Sequence, residues 1–431
     1  MSRTIKFITL GCKVNQYDTQ SIREQFLSRG FHELDNSHPA DIYVINTCTV
    51  THKVDCESFS FIRRAKRENP KAEIIVTGCL TELDEDKIQA LNDKVIIVKN
   101  RDKENILEYL SCLNGLNEPN GRNAPNEHSR TGITYFKNHT RVFLKIQDGC
   151  SNFCSYCKVP LVRGLSRSKP LDKIIQEARQ LAKNGFKELV LCGICLGAYG
   201  KDLASPLNLV DALLALEKID GLLRIRLSSI EAGDVSEGLV QKMAQSKKLC
   251  RHLHIPMQSG DDEILKKMSR NYKSGDYLNL IQRIKKCAPA VAITTDVMVG
   301  FPGENDENFQ NTVRLIKEVL PLRTHIFPYS KREGTQAARD FNEKLDYKII
   351  KKRIAYLKKV AQVCALDFKK QFLNKTMDVL IENNPEEDKG LWQGYTNNYI
   401  KVLVKSSRNL KNQFIFVKLS EIINDYVLAD F

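Results

Sequence analysis

Several features that would assign this chain to a class of protein are missing from its sequence. No apolar run approaches the roughly 20 residues that a membrane-spanning helix needs, so we expect no transmembrane segment. The first residues lead straight into a strand pattern without a signal-peptide apolar region, so we expect a cytoplasmic protein. Neither an internal repeat nor a low-complexity tract is evident, which excludes a repeat array.

Negative charge is also scarce. The 52 Asp and Glu residues leave the 66 Lys and Arg residues with a formal excess of +14. Such an excess indicates a polyanionic partner, although a solvated basic surface would give the same total. With 42% hydrophobic and 27% charged residues the composition is that of an ordinary globular protein, and 431 residues predict two or three domains.

Cysteine, in contrast, is abundant. The chain has 13 cysteines, and in a chain without an export signal clustered cysteines indicate metal binding or catalysis more often than disulfides. Cys150, Cys154 and Cys157 follow the spacing C-x-x-x-C-x-x-C. Iron–sulfur cubanes and structural zinc ions normally take four protein ligands, and the closest further candidates here are His139 and Cys192. Three thiolates would leave one iron open for chemistry, unless the motif is a zinc knuckle or a chance match.

Residues 1–112 alternate between short apolar strands and helical patterns, which predicts an open parallel sheet with helices on its faces. The predicted strands are Phe7–Leu10, Ile42–Ile45 and Ile74–Thr77. The stretch 113–139 is rich in Asn, Gly and Pro and lacks periodicity, which is typical of a linker.

A cysteine follows each of these three strands within a few residues, at Cys12, Cys48 and Cys79. Ligands bind outside the carboxyl ends of the strands in an open parallel sheet, so we expect the three thiols to meet at one edge. The pattern predicts a second three-cysteine cluster site with a second open iron. Each cysteine taken alone could equally be a small buried hydrophobic residue.

Residues 140–368 repeat the strand–helix alternation and predict a (β/α)6 partial barrel, with its chemistry at the carboxyl ends of the strands. Cys150 follows the first strand, as this arrangement requires. The six candidate strands are Val142–Ile146, Glu188–Leu191, Leu223–Leu227, His252–Ile255, Val291–Val297 and His325–Phe327.

The last part of the core is predicted to be a helix over 345–370 with an apolar stripe and a basic face. That face contains Lys351, Lys352, Arg353, Lys358, Lys359, Lys369 and Lys370. It is a candidate phosphate-contacting surface or simply a solvated one.

Residues 369–431 have short β-rich runs between Gly and Asn turns, which predicts a small antiparallel barrel. Its aromatic residues could stack on nucleic-acid bases or form its core; they are Trp392, Tyr395, Tyr399 and Phe414.

Ordered motifs along essentially the whole chain resemble those of the methylthiotransferases, a family of radical S-adenosylmethionine (SAM) enzymes. In chain order the motifs are Leu10–Tyr17, Ile45–Thr51, Thr77–Cys79, Lys145–Cys157, Val162–Gly164, Arg226–Glu231, His254–Gly260 and Thr295–Glu304. The resemblance implies an N-terminal cluster domain over 1–112, a radical-SAM core over 140–368 and a C-terminal TRAM domain over 369–431.

The residues around the first two cysteines indicate a branch of this family. Gly11–Tyr17 and Asn46–Thr51 resemble the branch that acts on N6-threonylcarbamoyladenosine in tRNA. The alternatives are the branches that act on isopentenyladenosine in tRNA or on a ribosomal-protein aspartate. A cluster-containing electron carrier or an RNA-binding protein without catalysis is a rival from another class.

The resemblance implies a transferase with two 4Fe–4S clusters and SAM as cofactors. A cluster on Cys150, Cys154 and Cys157 would bind one SAM and reduce it to methionine and a 5′-deoxyadenosyl radical, which removes the C2 hydrogen of the modified adenosine. A cluster on Cys12, Cys48 and Cys79 would carry a sulfur that a second SAM methylates. The implied partners are the tRNA anticodon loop, an electron donor and a sulfur source, the last two of unspecified identity.

Four further residues are predicted near the strand ends as part of a SAM or substrate pocket: Ser228, Ser229, Gln258 and Asp296. Asp296 could equally be a structural hydrogen-bond partner within the barrel. The chain departs from the family pattern at Cys192 and Cys195, which follow the second barrel strand and are either buried thiols or additional ligands. Further departures are Cys56, Leu161 and Ala232.

Overall fold

The computed structural model describes residues 3–35, 38–91, 94–114, 132–386 and 390–431. Most of the predicted linker, 115–131, lies outside these residues. Among the described helices, none combines the length and the apolar character that crossing a membrane requires.

The N-terminal part forms an open sheet of five parallel strands in the order β2-β1-β3-β4-β5. Its elements are β1 (Thr4–Thr9), α1 (Lys13–Ser28), β2 (His32–Glu33), β3 (Ile42–Thr47), α2 (His52–Glu68), β4 (Glu73–Gly78), α3 (Glu85–Gln89), β5 (Val95–Val98) and α4 (Ile106–Asn114). The three strands predicted from sequence are the adjacent β1, β3 and β4. The flanking β2 and β5 were not predicted.

Burial on both faces explains why the central strands read as unbroken apolar runs. Every residue of β3 is buried. Ile5, Ile42 and Ile75 pack on one side against Phe26 of α1, and Ile45, Ile74 and Val76 pack on the other against Ile62 of α2. The predicted parallel α/β sheet is confirmed.

The central part contains all six predicted strands, in parallel. Its elements are β6 (Val142–Lys145), β7 (Gln147–Asp148), α5 (Val159–Arg163), β8 (Arg167–Ser168), α6 (Leu171–Lys183), β9 (Glu188–Cys192), α7 (Leu209–Glu217), β10 (Arg224–Leu227), α8 (Glu237–Gln245), β11 (His252–His254), α9 (Asp262–Lys267), α10 (Ser274–Cys287), β12 (Ala292–Val299), α11 (Asp306–Val319), β13 (Arg323–Pro328), α12 (Gln336–Asp340) and α13 (Tyr347–Lys370).

These six strands run in the order β6-β9-β10 and β11-β12-β13. Two isolated parallel bridges, Ile225 to Leu249 and Ser229 to His254, join the two groups. The result is the open barrel expected from the sequence, with Leu and Ile side chains from its helices packed around it.

Helix α13 corrects the predicted basic face. Arg353 and Lys369 are buried, because the Arg353 guanidinium pairs with Glu304 and Asp306 and the Lys369 ammonium lies 2.9 Å from the Asp425 carbonyl oxygen. The exposed members of the face are Lys351, Lys352, Lys358, Lys359 and Lys370.

The C-terminal part is a closed five-stranded barrel in the order β14-β15-β16-β18-β17. The strands are β14 (Thr376–Glu386), β15 (Leu391–Thr396), β16 (Lys401–Lys405), β17 (Phe414–Ile423) and β18 (Tyr426–Asp430). Four of the strand pairs are antiparallel, as predicted, and one pair, β16 with β18, is parallel.

The aromatic residues of this barrel pack mainly within the protein. Tyr399 lies 4.7 Å from the Arg226 guanidinium and 4.4 Å from the His252 ring, and it stacks on Tyr395 at 5.0 Å. Phe414 lies 4.6 Å from the Arg224 guanidinium. These rings attach the C-terminal barrel to the central one, which favours the packing interpretation over base stacking.

A buried ion network connects the N-terminal sheet to the central barrel. Asp18 of α1 lies 3.0 Å from the Lys103 ammonium and also contacts Lys145 and Arg163 of the central part. The Arg163 guanidinium continues to Asp148 at 2.8 Å. Burial alone would raise the pKa of Asp18, but the three cations outweigh it and hold the pKa well below its usual range.

Replacing Asp18 with Asn should lower the free energy of unfolding by about 3–5 kcal/mol, because Lys103 loses its carboxylate partner in a buried position. The difference in stability between the two proteins should shrink as the pH falls below ~4, the pKa of an aspartate in the unfolded chain. Below that pH the unfolded state takes up a proton, so the stabilisation by the Asp18 carboxylate declines until the lower pKa of the folded state is reached. Denaturant unfolding of both proteins across this pH range measures the difference.

The matched control is Asp367→Asn, which removes a carboxylate from an ion pair with Lys370 in which both side chains are exposed. This change should leave stability almost unaltered, since exposed pairs contribute little. An Asp18→Asn protein as stable as the control would contradict a structural role for the network.

Candidate functional site

The structure brings Cys12, Cys48 and Cys79 together at the carboxyl edge of the N-terminal sheet; we call them the N-terminal cysteine triad. Cys48 follows β3 directly, Cys79 follows β4 directly, and Cys12 precedes α1. Burial raises the pKa of Cys48 to about 12, and the neighbouring thiols of Cys79 and Cys12 add to that effect. Cys48 and Cys79 are 3% and 5% exposed, whereas Cys12 is open to solvent.

Hydrogen bonds between loops hold this triad in place. The Asn15 side-chain amide donates to the Leu10 and Thr47 carbonyl oxygens at 2.7 and 2.9 Å, which ties the first cysteine loop to the second. The Thr47 hydroxyl donates to the Thr77 carbonyl oxygen at 2.6 Å and ties the second to the third. Gly11 has a φ of +93°, and a Cβ there would lie 2.7 Å from the Cys48 sulfur, so only glycine fits.

Cys150, Cys154 and Cys157 lie in the loop between β7 and α5; we call them the core cysteine triad. Burial raises the pKa of Cys157 to about 12, and Cys154 and Cys150 are close enough to raise it further. The Gln147 amide supports the loop by donating to the Asp148 and Gly149 carbonyl oxygens, both at 2.8 Å.

Two donors point at sulfur atoms of the core cysteine triad. The Val159 backbone N–H lies 3.4 Å from Cys157 Sγ, and Arg270 Nη1 lies 3.3 Å from Cys154 Sγ. Glu231 and the Tyr272 hydroxyl hold the Arg270 guanidinium in place. Hydrogen bonds to thiolates stabilise negative charge on sulfur and tune the potential of a cluster.

Sequence reasoning missed Arg270. Glu231 lies in one of the quoted motifs, but nothing local indicates that an arginine 39 residues later would join it.

Cys192 and Cys195 are both buried, at 0% and 3% exposure. Cys195 lies against the core cysteine triad: a hydrogen bond with it lowers the pKa of Cys150 to about 7. The Cys195 sulfur also lies 3.5 Å from an Asp234 carboxylate oxygen, an alternative acceptor for its one hydrogen, and it accepts from the Asn152 amide at 3.6 Å. Cys195 is therefore hydrogen-bonded to the loop, and Cys192 is a core thiol of β9.

Arg163 connects the two triads. It ends α5, which follows Cys157, and its guanidinium contacts the Asn15 side chain beside Cys12. Burial by itself would lower the pKa of Arg163. The pKa is nevertheless raised, because four neighbouring acidic groups outweigh burial: Asp148, Cys79, Asp18 and Cys12. Its charge thus faces the N-terminal cysteine triad although the residue belongs to the core.

Two of the predicted pocket residues, Ser228 and Gln258, have buried side-chain oxygens without a hydrogen-bond partner among the described residues. Ser228 directly follows β10, and Gln258 has a φ of +63°, in the left-handed region. Buried polar atoms are normally paired, so these two atoms are available to a bound group. Ser229 follows Ser228 and bridges to His254 through backbone pairing.

Asp296 lies in the middle of β12 and not near its end, and its hydrogen bond within the barrel fits the second of its two predicted roles. The His254 ring nitrogen Nε2 lies 3.1 Å from its carboxylate. His325 on β13 joins them, and one potential ligand atom from each of the three lies within 4.8 Å of the others. The sequence did not predict that His254 and His325 would join Asp296. The three residues meet because they lie on three adjacent strands of the barrel.

The residues present fit the cofactors of a radical-SAM enzyme. Each triad offers three thiols and no fourth cysteine of its own loop, and the core cysteine triad has hydrogen-bond donors aimed at two of its sulfurs. The unpaired side-chain oxygens of Ser228 and Gln258 follow the strands β10 and β11 of the same barrel. Thiols that receive hydrogen bonds suit an iron–sulfur cluster, and unpaired polar oxygens suit a polar nucleoside ligand.

Comparison with known proteins identifies the class first. The profile described as the Radical SAM superfamily matches residues 144–316, and that described as Uncharacterized protein family UPF0004 matches residues 4–99. Membership in the radical SAM superfamily implies an iron–sulfur cluster and SAM as cofactors.

Full-length relatives narrow the class to a family. The chain is 38% identical over 423 residues to the threonylcarbamoyladenosine tRNA methylthiotransferase MtaB of Bacillus subtilis, covering 96% of this chain and 93% of the relative. It is 37% identical to the MtaB of Thermotoga maritima, over 93% and 91% of the two chains. A tRNA-2-methylthio-N(6)-dimethylallyladenosine synthase of Alkaliphilus oremlandii is 32% identical, over 96% and 89%. The chain therefore belongs to the radical-SAM methylthiotransferase family and is a transferase.

Solved structures share the fold. The radical SAM methyltransferase TsrM from Kitasatospora setae, with cobalamin and a 4Fe–4S cluster bound, matches with a TM-score of 0.55 at 13% identity, over 78% of this chain and 77% of that chain. OxsB, a cobalamin-dependent SAM radical enzyme, matches with a TM-score of 0.53 at 11% identity, over 83% and 56%. At this identity the likeness concerns the fold alone.

Ser228→Ala should weaken SAM binding roughly fivefold, the value of one net hydrogen bond, and leave thermal stability unchanged because no internal bond is lost. Equilibrium binding of SAM to the reconstituted protein and a melting curve measure both. Tyr199→Phe is the control, since Tyr199 also has a buried hydroxyl without a partner among the described residues, and it should change neither quantity. Unaltered SAM affinity in Ser228→Ala would remove Ser228 from the SAM pocket.

Proposed function

We propose that this protein replaces the C2 hydrogen of N6-threonylcarbamoyladenosine, next to the anticodon of tRNA, with a methylthio group. The observation that carries the proposal is the connection of two cysteine triads on two different sheets through Arg163 and Asn15. If both triads take part in the same reaction, the substrate has to reach both of them. The two relatives named MtaB support the threonylcarbamoyl branch.

We assign one 4Fe–4S cluster to each triad and place SAM at the core cysteine triad. When bound, these groups supply an electron, a radical that removes the C2 hydrogen, and the sulfur and methyl group that replace it. Because an aromatic C–H has no useful acidity, the protein needs no general base at C2; its contribution is position and electrostatics.

The protein residues have distinct tasks in this proposal. Cys154 and Cys157 receive hydrogen bonds from Arg270 and the Val159 backbone, which stabilises thiolate charge. Ser228 and Gln258 offer unpaired oxygens to SAM or the adenosine.

The tRNA would be bound chiefly through its phosphates. The exposed lysines of α13 present a row of positive charge, and such contacts make affinity strongly dependent on salt. The modified adenosine has to leave the anticodon-loop stack to reach the triads. Since most barrel aromatics pack within the protein, base stacking is assigned no role for them.

Nucleoside analysis of tRNA tests the proposal. A strain without the gene should lose the methylthio group from threonylcarbamoyladenosine alone, and the intact gene should restore it. A Cys12→Ala gene should not restore it, yet the purified variant should still cleave SAM to 5′-deoxyadenosine because the core cysteine triad is intact. Loss of the mark from dimethylallyladenosine, or an unchanged profile, would reject this substrate.

Iron and sulfide analysis tests the number of clusters. Anaerobically reconstituted protein should hold about eight irons, and the triple Cys150→Ala, Cys154→Ala, Cys157→Ala variant about four, as for two cubane clusters and one. About four irons in the parent and none in the variant would mean that the N-terminal cysteine triad binds no cluster. The sulfur-transfer proposal would then fail.

A further inference from the structure

Lys13 is a cation without a partner next to the N-terminal cysteine triad. It is the first residue of α1, directly after Cys12, and it is exposed. Among the described residues no carboxylate or hydrogen-bond acceptor pairs with it, in contrast to Lys103, Lys145 and Arg163 nearby. Its charge is therefore available to something outside the described fold.

Lys13 lies where the N-terminal sheet meets the central barrel, because Val14 and Tyr17 of the same helix are buried in the core of that barrel. Partial burial is the main cause that lowers the pKa of His325, and the Asp296 carboxylate opposes it. The positive charges of His254, Arg323 and Lys13 lower this pKa further. Lys13 likewise acts on Tyr399 and on Cys192. A residue of the N-terminal sheet thus lies close to groups that line the barrel, and Cys12 and His325 share its exposure.

The charges around Lys13 favour an anion. Two arginines near the same groups already have carboxylate partners: Arg226 lies 2.7 Å from Glu188, and Arg323 lies 3.6 Å from Asp425. Asp296 is hydrogen-bonded to His254. His254, Asp296 and His325 are close enough to share a divalent ion, but the positive charges of Arg323 and Lys13, which help to lower the pKa of His325, disfavour a second cation. An exposed lysine without a carboxylate partner among the described residues is suited to a carboxylate or phosphate.

We propose that Lys13 is a specificity-determining residue that pairs with the carboxylate of the amino-acid group on the modified adenosine. This inference rests on the proposed function. A threonylcarbamoyl group ends in a carboxylate that is ionised at neutral pH, whereas a dimethylallyl group is an uncharged hydrocarbon. A charge beside Cys12 would therefore select the first over the second and hold the base near the N-terminal cysteine triad.

Two other anions could occupy the same place: a tRNA phosphate and the carboxylate of SAM. The experiment separates them by removing one charge from the RNA. It uses an anticodon stem-loop RNA that carries threonylcarbamoyladenosine, and the same RNA with the threonine carboxylate converted to a primary amide. Fluorescence anisotropy on the reconstituted full-length protein measures binding, and single-turnover assays measure methylthiolation.

The parent should bind and modify the carboxylate RNA better than the amide RNA, by roughly tenfold to a hundredfold, the range of one charge-assisted hydrogen bond. Lys13→Met should lose this preference by weakening only the carboxylate RNA, and Lys13→Glu should prefer the amide. Iron content and 5′-deoxyadenosine release should match the parent. Lys53→Met is the control, because Lys53 is an exposed cation close to Cys48 whose ammonium already lies 3.9 Å from Glu57.

Each alternative outcome overturns the inference in a recognisable way. Equal weakening of both RNAs by Lys13→Met, with a shallower salt dependence, would assign the lysine to a phosphate. A raised KM for SAM with unchanged RNA preference would assign it to SAM. A parent that modifies the threonylcarbamoyl RNA but does not distinguish it from the amide leaves the proposed function standing and removes Lys13 from it. A parent that modifies neither RNA contradicts the proposed function itself.

Discussion

The buried ion network around Asp18 is the interaction on which the arrangement of the site depends. Asp18 comes from α1, whose first turn follows Cys12, and Arg163 comes from α5, which follows Cys157. Their meeting, extended by Lys145 and Asp148, aligns the carboxyl edge of the sheet with the mouth of the barrel. Ions that are removed from water are held in one geometry, because any other arrangement leaves a charge unpaired. The network therefore specifies the relative position of the two triads more than it adds stability.

Both triads bring three cysteines together at the carboxyl ends of parallel strands, but they differ in how far apart the cysteines lie in the sequence. In the core, one loop carries all three cysteines, so local geometry is enough to bring them together. In the N-terminal sheet, three loops carry one cysteine each, and only the adjacency of β1, β3 and β4 unites them. Asn15 and Thr47 then couple the loops to each other. The C-terminal barrel closes the other side, where Tyr399 packs on Arg226 and His252.

The difference between local patterns and contacts that are distant in sequence also explains which predictions succeeded. The six barrel strands and the parallel sheet were readable, because buried strands between helices leave apolar runs in the sequence. Arg353 and Lys369 were assigned to a basic face that would contact phosphate or be solvated. Both are buried, because they pair with Glu304 and Asp425, which lie far away in sequence. Asp296 was placed at a strand end and lies within the strand. Arg270 left no local sign at all, because its role arises from contact with Cys154 across the fold.

The sequence by itself determined the class of fold, the family and the cysteines that are candidates for cluster ligands, because periodicity, spacing and motifs are local properties of a chain. Only the tertiary structure decided which groups lie beside those cysteines. Lys13 and His254 lie in motifs of the sequence and His325 in a predicted strand, but nothing local indicates that three barrel strands and a helix of the N-terminal part bring them near one another. Electrostatic environment depends on distance in space, and residues hundreds of positions apart set it here.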